Sequence, residues 1–436
     1  MNVWLIKTGE PLPLAARKQD RLHRTGLLAE ALAARGHRVT WWTSTFDHYS
    51  RTHFHGEDAD FRWGDRVTIR MLHGCGYRRN VSLRRMREHR LIAAKFASRA
   101  RGEERPDVIL CAYPTIEFGF EAVRYGREAG VPVVLDIRDL HPDIFVELFP
   151  RWGRPLAALL LRPAWKKSEQ ACAGATAISG VTRALLEWGL KRGEREGTEW
   201  DRWFPFGYRA KAPEAVSLEE AARFWDGLGV RDDGAFRACF IGTMGRTLDL
   251  EPVIGAAARL EGEGQPRVHF VLCGDGEHLA RYREMARNLR SVLFPGRIHA
   301  AQIFVLLRRS SVGLDPLPDR FDFLASINNK AIEYLSAGLP VVSCPTRGVL
   351  HELLVGEGCG TSWEAGSGAG LARLLVGLSR DPDAVRRMAA RSRGIFDERY
   401  AAEVVYGDMA AHLERLAESF ARAGKEGAPF VHGAPC

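Results

Sequence analysis

The stretch SINNKAIEYLSAGLPVVS, residues 326–343, puts Lys330 and Glu333 three positions apart in what reads as a short helix running straight into a strand. Asn328 or Asn329 is placed to cap that helix, Gly338 to end it in a left-handed conformation, and Pro340 to prevent its continuation. Ile332 and Leu335 supply the buried side, and Lys330 and Glu333 share a face. On a solvated surface such a pair is worth only roughly a few tenths of a kcal/mol. Where a helix N-terminus opens onto a ligand site, the cation suits a diphosphate and the carboxylate suits paired sugar hydroxyls.

Three further stretches concentrate chemistry at the ends of strand-like runs. FIGTMGRTLDLEP places Gly242, Gly245 and Arg246 between a strand and a helix, where glycines let a phosphate approach the backbone and Arg246 can add a bidentate contact. A tight strand-to-helix turn would use the same residues. The spacing departs from both G-x-G-x-x-G and G-x-x-x-x-G-K-[ST], so neither a dinucleotide nor a P-loop nucleotide is indicated. VLCGDGEHL repeats the theme, with Asp275 available as a helix cap. DIRDLHPDIF gathers Asp136, Arg138, Asp139, His141 and Asp143 after the apolar run VPVVL. Charges are rarely left unpaired in a core, so Arg138 either pairs with an aspartate or faces a polar ligand.

The elements that must position these residues alternate. NVWLI, an amphipathic helix with Leu22, Leu27, Leu28 and Leu32, and RVTWWTS form a strand–helix–strand unit whose size implies parallel pairing and a right-handed crossover. RVTIRML, DVILCA, VPVVLDIRD and ATAISG continue the series. Proline, glycine and charge clusters between Trp203 and Phe236 interrupt it. A second series follows, with strands at RACFIGTMG, VHFVLCGDG, VLFPGRI, VGLDPL and LPVVSCP. The fold class is therefore α/β, with two Rossmann-like, doubly wound parallel-sheet domains facing across a cleft. The expected boundaries are 1–210, 211–400, a helix at 401–423 that returns to the first domain, and a loose tail at 424–436. Ligands of such sheets bind beyond the carboxyl ends of the strands.

With 436 residues, 46% hydrophobic and 27% charged, the chain suits a globular protein of two domains. Its eight cysteines are scattered, with no C-x-x-C pair and no zinc spacing, so neither a metal nor a disulfide framework is expected. NVWLI is followed at once by Lys7 and is too short for a signal peptide, and the longest apolar run, PLAALLLRPAW, is interrupted by Arg162 and Pro163. A cytoplasmic protein follows as an expectation. The formal charge of +8 asks for an anionic partner. Much of it lies at residues 78–101, where nine Lys and Arg residues face only Glu88 and where Leu83, Met86, Ile92 and Phe96 recur at near-helical spacing. That segment reads as a solvated helix face, as a site for anionic lipid head groups, or as a nucleic-acid contact. The scarcity of interleaved aromatics and of any binding module argues against nucleic acid.

Taken together, Asn329-Lys330, Glu333-Tyr334-Leu335, Ala337-Gly338 and Pro340-Val341-Val342 resemble the donor-binding signature of the retaining nucleotide-sugar glycosyltransferases of family 4, which have the GT-B fold. KTGEPLPL, ARGHRVTWWTS, PDVILCAYPT, LDIRDLHPDIF, FIGTMG, GDGEHL and LFPGRI occur in that family's order along the whole chain. The likeness is to the branch that builds bacterial surface polysaccharides, such as the N-acetylfucosamine-type transferases of O-antigen assembly.

The resemblance implies that Glu333 holds the ribose hydroxyls, while Arg246 and Lys330 neutralise the diphosphate. Gly9, Gly242 and backbone N–H groups of Ser326, Ile327, Asn328 and Asn329 assist them, and Arg297 and Ile298 lie near the base. Glu117, Arg138 and Asp139 are the implied catalytic residues, facing the acceptor or reacting sugar. One position departs from the pattern: Ala325 stands where the family's first glutamate is expected, eight residues before Glu333. The N-terminal histidine of many members has no counterpart in AYPTIEF.

The implied activity is transfer of a sugar, N-acetylated, from UDP to a glycan or undecaprenyl-diphosphate-linked acceptor, without a metal or other cofactor. Peripheral contact with an anionic membrane through residues 78–101 goes with it, and no nucleic-acid partner. The alternatives are a nucleotide-sugar epimerase of the same fold and a non-catalytic basic membrane-surface protein.

Overall fold

The computed structural model describes residues 1–14, 21–147, 149–245, 247–264 and 268–426. They form two compact units: Met1–Pro205 together with the chain from Val405 onward, and Phe206–Val404.

The first unit is built on β1 (Asn2–Ile6), β2 (Arg38–Ser44), β3 (Ala59–Trp63), β4 (Val67–Leu72), β5 (Val108–Tyr113), β6 (Val133–Ile137), β7 (Ala177–Gly180) and β8 (Arg202–Trp203). Their order in the sheet is β3-β4-β2-β1-β5-β6-β7-β8. β1, β5 and β6 are buried along their whole length, as continuous apolar runs covered by helices on both faces must be. Trp4, Trp42, Phe96 and Tyr125 pack ring against ring at 5.1 to 6.4 Å in the layer beside β1. β3 is antiparallel to β4, an edge that the parallel sequence pattern does not anticipate. Only Gly64, Asp65 and Arg66 separate the two strands, which permits a hairpin and leaves no room for a crossover helix.

The basic segment forms the helix Leu83–Arg99, capped by the Ser82 side chain. Its charge balance differs from the sequence expectation. Glu88 points inward, accepting hydrogen bonds from Ser44 Oγ (2.9 Å) and Gly76 N (2.8 Å). Acids distant in sequence pair with its C-terminal cations, Lys95 on Asp58 (2.6 Å), Arg99 on Asp60 (2.9 Å) and Arg101 on Glu128 (2.9 Å). Ile92 and Phe96 are buried, whereas Leu83 and Met86 are exposed at 83% and 39%, so the apolar stripe meets the core only in its second half.

The second unit has six parallel strands, β9 (Phe236–Ile241), β10 (Val268–Cys273), β11 (Val292–Gly296), β12 (Val312–Pro316), β13 (Val341–Cys344) and β14 (Gly360–Ser362). They are ordered β11-β10-β9-β12-β13-β14. The helix Asn329–Ser336 joins β12 to β13 and is pinned to the sheet by the buried Tyr334. The tyrosine hydroxyl accepts from Ile241 N at the end of β9 (3.1 Å) and donates to Leu314 O in β12 (3.3 Å). Gly313 makes this approach possible, since a Cβ there would lie 2.4 Å from the Tyr334 ring. A buried backbone donor and acceptor are thus satisfied by one side chain, and the helix is fixed against β9 and β12.

Candidate functional site

In the second unit a cavity of about 410 Å³ is lined by Ile241, Gly242, Thr243, Gly274, Asp275, Gly276, Arg297 and Ile298. These residues follow β9, β10 and β11 at their carboxyl ends. The β9 and β10 loops are laced together by Gly242 N to Cys273 O (3.0 Å), Met244 N to Asp275 O (2.9 Å) and His278 N to Met244 O (2.9 Å). Gly274, at φ +138°, passes so close that a Cβ would lie 1.8 Å from Gly242 O, and one on Gly276 would lie 2.4 Å from Met244 O. Asp275 does not cap the next helix; its Oδ1 accepts from Gly276 N within the loop (2.7 Å), and His278 occupies the cap position. Gly274→Ala therefore forces the loops apart, with an expected loss of about 3 kcal/mol in unfolding free energy, read by urea titration. Unchanged stability would mean that the two loops yield independently.

Lys330 enters from the helix Asn329–Ser336. Its stem lies over Gly242, with Cδ 3.3 Å from where a Cβ of that residue would be. Asn328 caps the helix, its Oδ1 accepting from Ala331 N (3.0 Å) while its Nδ2 donates to Asp315 Oδ2 (2.6 Å). The other Asp315 oxygen is buried with no hydrogen-bond partner among the described residues. Burial raises the Asp315 pKa, against the pull of Lys330 and of the Asn328 hydrogen bond. Glu333 is half-buried, with Oε1 accepting from Tyr208 OH at 2.8 Å. Tyr208 is itself fixed by its backbone, through Tyr208 N to Tyr400 O (2.8 Å) and Ala402 N to Tyr208 O (3.0 Å).

Several residues expected at this site differ in what they offer. The Ser326 N–H is already donated to Phe323 O (3.2 Å) and its hydroxyl to Asp322 O (2.7 Å), a turn geometry that sequence spacing does not reveal. Ile327 packs its side chain into the core, and the N–H groups of Ile327 and Asn328 find no acceptor among the described residues. Arg297 and Asn329 are exposed. Arg246 lies outside the described residues. Asp315 is the residue that sequence reasoning missed; its only signal was an acid closing the strand-like run VGLDPL.

The carboxyl edge of the first unit carries the other group. Arg138 is not a free cation there: it donates to Asp136 Oδ2 (2.7 Å), to Glu10 and to Thr25 (3.2 Å), and its side chain is 6% exposed. Arg24 grips the same aspartate through Nε and Nη2, both at 2.9 Å. Burial alone would raise the Asp136 pKa, but the two guanidiniums reverse this and hold it well below the usual carboxylate range. The arginine thus takes the structural role open to it, clamping the end of β6. Asp139 keeps a partly exposed carboxylate, with Oδ2 3.4 Å from His141 Nε2 and Oδ1 accepting from Leu140 N (2.9 Å). Glu117 sits in the first turn of the helix Ile116–Ala129, 3.8 Å from Arg90. Gly9 takes φ +75° just after β1. Beside it Lys7 has its pKa lowered to about 8 by burial and by Arg138. His48 and His89, around Tyr77, are held neutral by burial and nearby arginines, with pKa values lowered to about 4 and about 3. No group of three or more His, Cys, Asp or Glu residues able to hold a metal occurs among the described residues.

Two family models match the chain: residues 23–196 match the "Glycosyl transferase 4-like domain" and residues 235–381 match "Glycosyl transferases group 1". Their succession on two parallel-sheet α/β units makes this chain a glycosyltransferase of GT-B type. Comparison with curated protein sequences gave no match.

Among solved structures, sucrose-phosphate synthase from Thermosynechococcus elongatus is similar at 17% identity and TM-score 0.68, over 96% of this chain and 99% of that one. HepE of Anabaena, in complex with UDP and glucose, is similar at 16% identity and TM-score 0.62, over 95% and 100%. WaaG, a glycosyltransferase involved in lipopolysaccharide biosynthesis, is similar at 14% identity and TM-score 0.61, over 95% and 99%. At these identities the likeness concerns the fold.

Proposed function

We propose that this chain is a retaining glycosyltransferase that moves an N-acetylated sugar from UDP to a glycan or undecaprenyl-diphosphate-linked acceptor of bacterial surface polysaccharide. Residues 211–400 take the donor and residues 1–210 the acceptor. The observation that carries the proposal is the interlocked glycine cradle after β9 and β10, with Lys330 lying across Gly242 and Arg297 on its rim. Such a cradle lets a diphosphate approach the backbone closely and sets two cations against the charge it gains as the sugar bond breaks. Glu333, its rotamer set by Tyr208, is placed to receive the ribose hydroxyls. HepE is seen with UDP and with UDP-glucose, which supports uridine as the base.

Because Ala325 provides no carboxylate, the reading favours front-face attack, in which the leaving diphosphate accepts the acceptor's proton and the sugar keeps its configuration. Asp139 and Glu117 at the carboxyl edge of the first unit are assigned to the acceptor side, with Arg138 positioning β6 beneath them. Charge stabilisation by Lys330 and Arg297 makes a divalent ion dispensable, and chelator should leave turnover unchanged.

No helix among the described residues is long and apolar enough to cross a membrane. Cytoplasmic residence with peripheral membrane contact through residues 78–101 belongs to the same proposal, supported by Arg78, Arg79 and Arg87 standing exposed beside Val81 and Leu83.

A ligand that binds only the native state stabilises by mass action, about 2.7 kcal/mol at a hundredfold excess over Kd. UDP should thus raise Tm by roughly 5–10 °C under those conditions, and GDP and ADP by clearly less. A larger response to GDP would transfer the donor assignment to guanosine sugars, and no response to any nucleotide would sink the proposal.

A further inference from the structure

The helix Arg154–Gly174 turns one stripe inward and leaves a second without cover. Ala157, Ser168, Ala171 and Cys172 are buried in the first unit. Trp152, Leu156, Leu159 and Leu160, spaced at i, i+4, i+7 and i+8, are exposed at 86%, 61%, 63% and 68%, and Phe149 joins them at 44%. This spacing puts Leu156, Leu159 and Leu160 on one side of the helix, and Trp152 stands in the short 3-10 turn Arg151–Gly153 that leads into it. An apolar stripe this contiguous is unusual on a surface that meets only water.

The charge around the stripe points to its occupant. Residues 149–168 contain Arg151, Arg154, Arg162, Lys166 and Lys167 and no acidic residue. Arg151, Arg162 and Lys166 make no ion pair among the described residues. Beside the stripe, Arg162, Trp165 and Lys166 line a cavity of about 410 Å³ together with Glu169 and Arg192. Arg192 there is already paired with Asp143 at 2.6 Å, which leaves Arg162 and Lys166 for an incoming anion. Leucines flanked by a tryptophan and rimmed by cations match the layering of a bilayer surface, acyl chains below and phosphates above. The apolar run of this helix is too short and too interrupted to span, so it would lie in the interface plane.

We propose that the Trp152–Leu160 stripe is a membrane-insertion face that seats the first unit on an anionic bilayer. It is distinct from the basic segment at residues 78–101, where Lys95, Arg99 and Arg101 are neutralised by Asp58, Asp60 and Glu128. The stripe begins just beyond the loop that follows β6, so seating it would bring the carboxyl edge of that sheet to the level of lipid head groups. This rests on the lipid-linked acceptor proposed above for its purpose, though not for its evidence.

The test is sedimentation of the full chain with sucrose-loaded phosphatidylcholine–phosphatidylglycerol vesicles and with pure phosphatidylcholine vesicles. L159E/L160E is compared with L83E/M86E on the basic helix, and all four positions are exposed, so neither pair disturbs the core. The expected result is binding to the anionic vesicles that falls at least about tenfold in L159E/L160E. The proposal is overturned if L159E/L160E sediments like the parent chain, or if the parent binds neither vesicle. It is equally overturned if the parent is a dimer that L159E/L160E converts to monomer, because a second copy would then cover the stripe. UDP-induced stabilisation, measured on the same samples, separates the two proposals: its absence with stripe-dependent sedimentation intact would remove the transferase assignment and leave the insertion face standing.

Discussion

Lys330→Ala should lower kcat/KM for the proposed UDP-sugar donor by roughly 100- to 1000-fold, the range seen when one preorganised charge-stabilising group is removed from a transition state. Two features of the structure make this side chain hard to replace. Its stem lies across Gly242, so packing against the β9 loop restricts where the ammonium can go. It also supplies a positive field to Asp315, which is buried and otherwise satisfied on one oxygen by Asn328. Without the cation, on the proposed assignment, charge developing on the departing diphosphate would meet Arg297 as the remaining cation of the cradle. The effect belongs mainly in kcat, because the missing interaction grows as the bond breaks. Steady-state kinetics by UDP release checks this, with a melting curve to show that the fold survives. A change confined to KM would recast Lys330 as a ground-state contact, and kinetics equal to the parent's would remove it from the site.

Asp136→Ala is the larger structural injury, with an expected loss of about 3–5 kcal/mol, or about 10 °C in Tm. The carboxylate is fully buried and shared by Arg24 and Arg138, and it also accepts from Ser179 Oγ at 2.8 Å. Removing it leaves two guanidiniums inside the unit with Glu10 as the remaining acid for Arg138. The pH dependence has a definite sign. A carboxyl whose folded pKa is depressed below its ordinary 3.8 contributes stability that is present above that value and is lost as pH falls through the folded pKa. The parent chain should therefore lose stability steeply in acid, and Asp136→Ala should start lower and fall less. Denaturant titrations at neutral and acid pH measure both; parallel losses for the two proteins would detach the cluster from acid sensitivity.

Much of this was legible in sequence where the governing interactions are local. The Asn328 cap and the left-handed Gly338 depend on residues within a few positions, and both stand as the pattern implied. Alternating strands and helices implied the parallel pairing of all strands but β3 for the same reason. What escaped depends on contacts between distant residues. Glu88 looks like the lone acid of a basic helix, and only the fold shows it turned inward onto Ser44 and Gly76. Arg138 could equally have faced a ligand until Arg24, 114 positions earlier, was found on the same aspartate. β3, β8 and β14 are short segments whose status as strands comes from a neighbour's edge and not from their own periodicity. Asp315 went unremarked because one acid after an apolar run is common; its significance comes from burial and from Asn328.

The interlocked glycine loops also constrain how this cradle can change over evolutionary time. With no space for a Cβ at Gly274 or Gly276, that stretch cannot be diversified one substitution at a time without parting the loops. If the cradle seats the donor phosphates as proposed, variation in the sugar accepted would arise from side chains around it, such as Thr243, Arg297 and Ile298, while the glycine loops stay invariant in shape. A library that leaves the glycines fixed and randomises those neighbours is accordingly the efficient route to altered donor choice.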